Sequence, residues 1–352
     1  MPAFDEAVAG VTPTDGAAAD AAAARHDRLT KPAGSLGRLE AAGIRLCAIA
    51  RTCPPPVPAP ATVAVFAGDH GVVDQGVSPW PREVTAQMVG NFVAGGAAVN
   101  VLARHVGAEV VVVDVGVASD PEPSPGLVSA KVRRGTSDLA AGAAMTSGET
   151  TAALDVGTAV ANDLVARGAR CLLTGDMGIG NTTPAAALIA ALTGRRAAEV
   201  TGRGTGIDDE RWSHKVSVVE RALARTIAAD DPRAVLASLG GLEIAALTGY
   251  IVAGAAAGLP VVLDGVIACA AALVAVRLSP DSTGYLFAGH RSAEPGATVA
   301  LEAMGLAPLL DLELRLGEGT GACLALPVLQ ATAKVLAEMA TFDDAGVTDE
   351  HG

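Results

Sequence analysis

Short aliphatic runs alternate with longer amphipathic patterns from residue 60 onward, and this alternation constrains the fold more than any other feature of the sequence. Six runs have the length and composition of buried strands; they lie at 62–67, 109–115, 171–174, 260–263, 284–288 and, with the weakest pattern, 309–312. Apolar residues at three-to-four spacing predict helices between them, at 84–105, 150–167, 184–192, 209–228 and 242–257. Strands that alternate with helices form βα units, so the sequence predicts an α/β protein with a parallel six-stranded sheet.

The two ends of the chain differ from this pattern. Residues 1–51 predict an Ala-rich helix, a turn at 31–35 and a second helix, and the proline-rich segment 54–61 cannot continue that helix. Residues 322–341 predict an apolar helix, and the last ten residues are polar and acidic, which favours a frayed end. We therefore expect a small helical domain built from 1–60 and 325–352, packed on a sheet domain of 61–324.

The composition argues against several classes of partner. Thirty-eight acidic and 25 basic side chains give a formal net charge of −13, which repels nucleic-acid backbones and anionic membrane surfaces. Aromatic residues make up only 3% of the chain, too few for a platform on which bases stack. We therefore expect small-molecule substrates, with neither nucleic acid nor membrane as a partner.

One uncharged segment, 244–263, is long enough to span a membrane. It is rich in Ala and Gly, is interrupted by Gly258 and Pro260, and runs into Asp264, so it predicts a buried helix followed by a buried strand. The acidic N-terminal region does not resemble a secretory signal, and five cysteines without a CxxC pair predict reduced, mostly buried thiols. We expect a cytoplasmic protein.

Glycine together with a charged or hydrogen-bonding residue follows nearly every predicted strand. The loops concerned lie at 66–71, 114–117, 174–183, 263–266, 288–296 and 316–321. Ligands of an open parallel sheet bind beyond the carboxyl ends of its strands, so we expect these six loops to converge on one site. Any one of them alone is better explained as a simple βα turn, and the prediction depends on their number.

The loop at 174–183, TGDMGIGNTT, predicts a phosphate cradle. Gly178, Gly180 and Asn181 precede Thr183, the predicted helix N-cap, and Pro184, the predicted first helical residue. Such a turn presents free backbone N–H groups at the positive end of a helix dipole. The loop is neither a Walker A sequence nor G-x-G-x-x-G, so a monophosphate is favoured over a nucleoside triphosphate or a dinucleotide.

The segment GRGTG at 202–206 is a second candidate cradle. Arg203 and Lys215 are placed to add positive charge to it, while a flexible interhelical loop is the alternative interpretation. His70 and His290 lie in two of the strand-end loops. Because no second metal ligand stands at a familiar spacing, we expect the histidines to hold loops by hydrogen bonds rather than to bind metal.

Two carboxylates, Asp176 and Glu318, lie within the glycine-rich loops. Glu318 stands between two glycines, so a ligand can approach it closely. Burial and a nearby negative charge would both raise its pKa from about 4.3 toward that of a general base at neutral pH. The alternative is an ion pair with Arg315 or Arg203, which would lower the pKa instead.

Several long motifs in this order resemble those of one family, the nicotinate-nucleotide:dimethylbenzimidazole phosphoribosyltransferases of cobalamin nucleotide-loop assembly. The motifs lie at 31–40 (KPAGSLGRLE), 67–72 (AGDHGV), 76–89 (GVSPWPREVTAQMV), 95–104 (GGAAVNVLAR), 175–187 (GDMGIGNTTPAAA), 289–296 (GHRSAEPG) and 311–322 (DLELRLGEGTGA). They cover almost the whole chain. The resemblance implies a Rossmann-like sheet domain, a helical domain built from both termini, and a homodimer whose subunits share each active site.

The resemblance also implies a reaction. The enzyme would transfer 5-phosphoribose from nicotinate mononucleotide to 5,6-dimethylbenzimidazole, giving α-ribazole 5′-phosphate and nicotinate with inversion at the anomeric carbon. Glu318 matches the catalytic glutamate of the family, and Asp176 stands where some relatives carry Glu, which makes its role less secure. The remaining matches fall at a phosphate and ribose site (Gly178, Ile179, Gly180, Asn181, Gly204, Lys215, Ser292 and Arg315) and at a base pocket (Ser78, Gln87, Met177 and Leu316).

The chemistry of this transfer needs neither metal nor cofactor. The leaving nitrogen of nicotinate mononucleotide is a cationic pyridinium, and it departs as a neutral ring without an acid catalyst, so one base is sufficient. No pyrophosphate leaves, which removes the usual reason for magnesium. Two alternatives stay open: transfer to another aromatic acceptor such as adenine, a different benzimidazole or a phenol, and a non-catalytic nucleotide-binding sensor.

Overall fold

The computed structural model describes residues 1–225 and 230–348. Six strands in these residues form one sheet in the order β3-β2-β1-β4-β5-β6, and every neighbouring pair is parallel. The strands are β1 Ala61–Gly68, β2 Ala108–Gly116, β3 Leu127–Ser129, β4 Cys171–Met177, β5 Val261–Leu263 and β6 Leu286–Ala288. The strand order reverses direction between β1 and β4, which is the switch point of a doubly wound Rossmann-like sheet. The predicted fold class is confirmed.

The sixth strand is not the predicted one. Residues 309–312 form only a single bridge, between Leu310 and His290, so the strand predicted there is wrong. The sixth strand is β3, at the opposite edge of the sheet. Its three residues are exposed or half-buried. A strand of three residues is too short to show a periodic pattern in the sequence.

Helices connect the strands and cover both faces of the sheet. In the described residues they are α1 Ala3–Gly10, α2 Gly16–Arg28, α3 Arg38–Ala50, α4 Val84–Val93, α5 Ala98–Val106, α6 Ser147–Ala166, α7 Thr182–Thr193, α8 Ala197–Val200, α9 Asp209–Ala224, α10 Pro232–Leu239, α11 Leu242–Ala256, α12 Val266–Leu278, α13 Pro295–Ala303, α14 Thr320–Glu338 and α15 Phe342–Ala345.

Two helix predictions need correction. The single helix predicted at 84–105 is wrong, because the chain turns at Gly95, whose φ of +77° ends α4 before α5 begins. The helix predicted at 209–228 ends at Ala224 in the structure, and residues 226–228 of that prediction lie outside the described residues.

The core has one layer on each face of the sheet. Side chains of β1 alternate between the layers: Ala64 and Phe66 pack against α6 and α11, while Val63 and Val65 pack toward α3, α5 and α14. The segment 244–263 forms the buried helix α11 followed by the buried strand β5, as predicted. It crosses α6 so closely that a Cβ at Gly157 would lie 1.7 Å from the carbonyl oxygen of Ala246.

The chain termini meet at one end of the molecule. Helices α2 and α3 pack against the C-terminal part of α14, where Ala22, Cys47 and Leu336 are fully buried, and the Thr30 amide donates a 3.0 Å hydrogen bond to the carbonyl of Ala340. Helix α1 instead packs on α6 and α11 of the sheet layer. The boundaries of a separate helical domain stay a prediction. Of the last ten residues, 349–352 lie outside the described residues.

Two described helical stretches are long and apolar enough to cross a membrane by length and composition, Val84–Val106 and Thr320–Glu338. The first is interrupted between α4 and α5, and the second is α14, more than half of which is buried inside the protein. Buried core helices have the same length and composition, so these two properties alone do not indicate a membrane span. The five cysteines are unpaired and four of them are buried, as predicted.

Candidate active site

A cavity of about 730 Å³ lies beyond the carboxyl ends of the central strands. Four of the six strand-end loops contribute to its lining: 174–183, 263–266, 288–296 and 316–321. The loops at 66–71 and 114–117 are not part of the lining, so the prediction that all six reach the site is wrong. These two loops contact each other instead, and the amide of Asp69 donates a 2.9 Å hydrogen bond to the carbonyl of Gly116.

Thirteen of the fourteen predicted site residues line this one cavity. Gln87 is the exception, since it is exposed on α4 and the neighbouring Met88 takes the position in the wall. The thirteen residues come from segments up to 240 positions apart, yet the sheet brings them together; they are Ser78, Asp176, Met177, Gly178, Ile179, Gly180, Asn181, Gly204, Lys215, Ser292, Arg315, Leu316 and Glu318.

The N-terminus of α7 faces the cavity. The helix begins at Thr182 with Asn181 at the N-cap position, so the predicted cap at Thr183 is wrong by two positions and Pro184 is the third helical residue. Proline is tolerated at this position because the N–H groups of the first helical turn have no carbonyl partner within the helix, so the N–H that proline lacks is not missed. In the described chain no group accepts a hydrogen bond from the amides of Gly180 and Thr182, which leaves both donors free at the positive end of the helix.

Glycine is required in the turn before α7. Gly180 has a φ of +86°, and a Cβ there would lie 2.7 Å from Cγ2 of Val73. A Cβ at Gly178 would lie 2.4 Å from the carbonyl oxygen of Gly68 at the end of β1. The turn is therefore packed tightly against the switch point of the sheet, and Thr85 of α4 fixes it by accepting a 3.1 Å hydrogen bond from the Ile179 amide.

Lys215 brings positive charge to the same end of α7. It is 1% exposed, and its ammonium donates hydrogen bonds to Oγ1 of Thr182 at 2.8 Å and to the carbonyl of Gly202 at 3.1 Å. Burial lowers the pKa of Lys215 to about 8, against the opposing effect of Glu294. A buried cation held by neutral partners next to free amides is a site for an anion.

The 202–204 loop is held by two residues of the lining. The carboxylate of Glu294 accepts a 2.7 Å hydrogen bond from the Gly204 amide, and Nη1 of Arg315 donates a 2.8 Å hydrogen bond to the Gly204 carbonyl. A Cβ at Gly202 would lie 2.0 Å from the Glu294 carboxylate, so glycine is needed for this contact. The second candidate cradle is thus an ordered part of the cavity wall.

Glu318 lies in an unusual backbone conformation. Gly317, Glu318 and Gly319 have consecutive φ values of +80°, +65° and +94°, and this left-handed region is costly for a residue with a side chain. The loop lies on the end of β4, where a Cβ at Gly175 would be 2.8 Å from the carbonyl oxygen of Glu318. The loop also lies close to Asp176, since a Cβ at Gly317 would be 3.4 Å from Oδ2 of Asp176.

The electrostatic environment of Glu318 matches that of a general base. Burial, together with the negative charge of Asp264, raises the pKa of Glu318 from 4.5 to about 7. The side chain is 6% exposed, and its Oε2 has no hydrogen-bond partner in the described residues. The arginines offered as alternative partners are used elsewhere, Arg315 on Gly204 and Arg203 on the Ile207 carbonyl. The predicted upward shift of this pKa is confirmed, and the alternative ion pair is wrong.

Asp176 lies at the end of β4 in a strongly anionic environment. Burial raises the pKa of Asp176 well above its ordinary value, and the negative charges of Asp264 and Glu243 add to the effect. Nδ2 of Asn181 donates a 2.9 Å hydrogen bond to Oδ2, which acts in the opposite direction and is too weak to reverse the shift. The neutral carboxyl is therefore more favoured in Asp176 than in an ordinary aspartate.

The two histidines lie behind the cavity. Nε2 of His70 and Oε1 of Glu243 are 2.8 Å apart and fully buried, which ties the loop after β1 to the first turn of α11, as the prediction of a loop-holding histidine requires. His290 packs against Gly321, where a Cβ would lie 1.9 Å from its ring. No group of three or more metal-ligating side chains occurs in the described residues.

One part of the cavity wall is apolar. Trp80 and Met88 contribute to it and were not among the predicted site residues; the wall comprises Val77, Trp80, Val84, Met88, Met177, Ile179 and Leu316. Both missed residues lie in the motif at 76–89, so the signal was present in the sequence. Asp264, whose charge contributes to the raised pKa of Glu318, was also not among the predicted site residues, although it follows a predicted strand in one of the strand-end loops.

Comparisons with known proteins decide the family. A family model described as phosphoribosyltransferase matches residues 11–347. Nicotinate-nucleotide:dimethylbenzimidazole phosphoribosyltransferases of Salinispora tropica and Chloroflexus aurantiacus are 56% and 54% identical to the chain; the alignments cover 99% and 97% of it, and 100% and 97% of the relatives. The chain belongs to the nicotinate-nucleotide:dimethylbenzimidazole phosphoribosyltransferase family.

A solved structure of this phosphoribosyltransferase family has the same fold. The crystal structure of CobT from Thermus thermophilus is 49% identical in sequence and superposes with a TM-score of 0.91, covering 94% of this chain and 99% of that one. The predicted family and the predicted enzyme class are confirmed. The nicotinate-nucleotide:dimethylbenzimidazole phosphoribosyltransferase fold accounts for nearly the full length of the chain.

Proposed function

We propose that the protein transfers 5-phosphoribose from nicotinate mononucleotide to 5,6-dimethylbenzimidazole, releasing nicotinate and forming α-ribazole 5′-phosphate with inversion at the anomeric carbon. One observation carries this proposal: a buried glutamate with a pKa near neutrality lines the same cavity as an anion cradle. The reaction requires a binding site for the phosphate and a base that accepts the proton of the acceptor. The cradle supplies the first and the glutamate supplies the second.

The phosphate of nicotinate mononucleotide binds at the N-terminus of α7. The free amides of Gly180 and Thr182 donate hydrogen bonds to it, and the Lys215 ammonium supplies the opposite charge. The other predicted phosphate and ribose ligands surround this position in the cavity; they are Gly178, Ile179, Asn181, Gly204, Ser292 and Arg315. A fixed phosphate determines where the anomeric carbon lies, because the ribose ring leaves few rotatable bonds between them.

The transfer is a single displacement. The unprotonated ring nitrogen of the acceptor attacks the anomeric carbon with its lone pair, while the bond to the pyridinium nitrogen breaks and its electron pair stays on the departing nicotinate. The proton on the other acceptor nitrogen passes to the carboxylate of Glu318, so the benzimidazole product is neutral. One base serves the whole step, and its raised pKa makes it strong enough to take this proton near neutral pH.

The role of Asp176 depends on its charge. A carboxylate at the end of β4 would stabilise positive charge on the ribose during transfer, but the raised pKa favours the neutral acid. The cationic pyridinium of the substrate lowers the pKa of a nearby carboxyl, so binding itself promotes the ionisation of Asp176. Asp176 therefore stabilises the cationic sugar only after the nucleotide has bound.

The acceptor binds against the apolar wall. Ser78, Met177 and Leu316 line that part of the cavity together with Trp80, and a flat apolar ring fits between such side chains. Gln87 contacts the acceptor only if it turns toward the cavity from its exposed position on α4. Few polar groups lie on this wall to distinguish one aromatic ring from another, so adenine, other benzimidazoles and phenols stay open as alternative acceptors.

The homodimer and the cytoplasmic location remain predictions from the sequence. An observation that supports a subunit contact is the exposure of apolar side chains at the cavity: Trp80 is 51% exposed and Leu316 is 56% exposed. A second subunit placed over them would cover apolar surface and close the site from water.

The test is turnover of nicotinate mononucleotide and dimethylbenzimidazole by the purified protein in the presence of EDTA, followed as released nicotinate. Glu318→Gln is expected to lose at least about 100-fold in turnover while it keeps most of its nucleotide affinity. The matched control is Glu302→Gln on the exposed side of α13, which should turn over like the parent protein.

Two results would contradict the proposal. Normal turnover by the Glu318→Gln protein would remove Glu318 from the reaction. No nicotinate release by the parent protein, combined with tight nucleotide binding, would favour the sensor instead.

A further inference from the structure

Asp264 has no part in the reaction described above, and it is the most highly bonded carboxylate near the site. It follows β5 directly and is 1% exposed. Its Oδ2 accepts a 3.0 Å hydrogen bond from the Gly319 amide, and its Oδ1 accepts from the amides of Gly321 at 2.7 Å and Ala322 at 3.1 Å. The Asp264 amide in turn donates to Oγ1 of Thr174 on β4 at 2.9 Å.

These bonds fix the backbone immediately after Glu318. Helix α14 begins at Thr320, and Gly319 at its N-cap has no side chain with which to cap it. Asp264 supplies that cap from another strand, with its negative charge at the positive end of the helix dipole. The loop at 317–319 is thereby attached to β5 on one side and packed on β4 on the other, which holds Glu318 in its left-handed conformation.

Asp264 also keeps its charge although it is buried. Burial alone would raise its pKa, but the neighbouring His290, with Nε2 3.5 Å from Oδ1, and the backbone amides outweigh burial and hold the pKa of Asp264 below its ordinary value. The charged form of Asp264 is therefore favoured, and it lies next to Glu318. The other titratable groups near these carboxyls are Asp176 of β4, whose pKa is raised by burial and by both Asp264 and Glu318, and the thiols of Cys269 and Cys323, whose pKa values are raised by burial and by Asp264. No lysine or arginine pairs with Glu318 in the described residues.

We propose that Asp264 is a positioning residue for Glu318: its carboxylate anchors the backbone that presents Glu318 to the cavity and places a fixed negative charge beside it. The inference depends on the function proposed above, in which Glu318 takes a proton from the acceptor. Asp264 itself is not one of the residues that line the cavity. It acts through Glu318, by holding it in place and by making its carboxylate more basic.

The experiment is the pH dependence of kcat/KM in Asp264→Asn. Asparagine removes the charge and keeps one of the two acceptor oxygens, so part of the anchor at the helix N-terminus is retained. A merely structural role lowers activity through the lost hydrogen bond and leaves the acidic limb of the profile where it is in the parent protein. The proposal expects that limb to move down by about one pH unit. It also expects kcat at about pH 8 to fall by about tenfold, with KM for nicotinate mononucleotide changed less than about threefold.

Two further variants make the result decisive. Asp264→Ser also keeps a capping oxygen without charge and should reproduce the shift. The matched control is Asp114→Asn: Asp114 is likewise a buried aspartate at a strand end, accepting a 2.9 Å hydrogen bond from the Val117 amide, but it lies outside the cavity. This control should leave the acidic limb unmoved.

The outcomes separate this inference from the proposed function. If the parent protein releases no nicotinate, the proposed function fails. If the parent is active and the limb stays within about 0.3 pH unit in both Asp264 variants, the positioning role is overturned. Failure of both variants to fold would also overturn it, because Asp264 would then serve the folding of the loop and not Glu318.

Discussion

Replacing Glu318 with glutamine is expected to change how the stability of the protein depends on pH. The folded protein binds the Glu318 proton with a pKa of about 7, against 4.5 for an unperturbed glutamate. Between these values the folded state carries a proton that the unfolded state has released, so the free energy of unfolding falls as the pH rises. The proposed general base is thus kept at a cost in stability above neutral pH.

The two pKa values set the magnitude. Between about pH 5 and about pH 8.5, one carboxyl with this shift lowers the free energy of unfolding by about 2 to 3 kcal/mol. Glu318→Gln has no such titration, so the variant gains this amount relative to the parent over the same range. The amide also introduces a buried polar group, but that penalty does not change with pH and cancels from the comparison. The charge of Glu318 is also one of the causes that raise the pKa of Asp176, so the variant loses this smaller contribution, which has the same sign.

Urea denaturation followed by circular dichroism at about pH 5, 6.5 and 8.5 measures the difference. Glu318→Met is a useful second variant, because it removes the same ionisation with different packing. Its constant offset should differ from that of Glu318→Gln, while the pH-dependent part should be the same. A difference that stays flat within about 0.5 kcal/mol across the range would refute the reasoning, since Glu318 would then titrate as an ordinary glutamate.

Two further predictions concern the two ends of the substrate site. Lys215→Met should raise KM for nicotinate mononucleotide by about 10 to 100-fold with kcat nearly unchanged, because it removes a charge-assisted bond to the phosphate; an unchanged KM in steady-state kinetics would place the phosphate elsewhere. Trp80→Ala should raise KM for dimethylbenzimidazole by about tenfold and leave KM for the nucleotide alone. Equal effects of this variant on both substrates would contradict an acceptor-specific wall.

The sequence by itself determined the features that depend on local pattern. The strands β1, β2 and β4 are continuous aliphatic runs, so their period and length identified them, and the glycine turn at 178–181 predicted an anion cradle. Glu318 was recognisable because a glutamate between two glycines is a local arrangement. The family was likewise accessible, since its motifs are stretches of consecutive residues.

The tertiary structure decided what depends on contacts between distant segments. The three-residue strand β3 exists because β2 pairs with it, and the turn at Gly95 that separates α4 from α5 has no counterpart in the apolar period. Met88 rather than Gln87 reaches the cavity because of how α4 is rotated against the sheet. Above all, the pKa of Glu318 depends on burial and on Asp264, 54 positions earlier in the chain. Charge interactions act through space, and only the folded sheet sets the distances between these carboxylates.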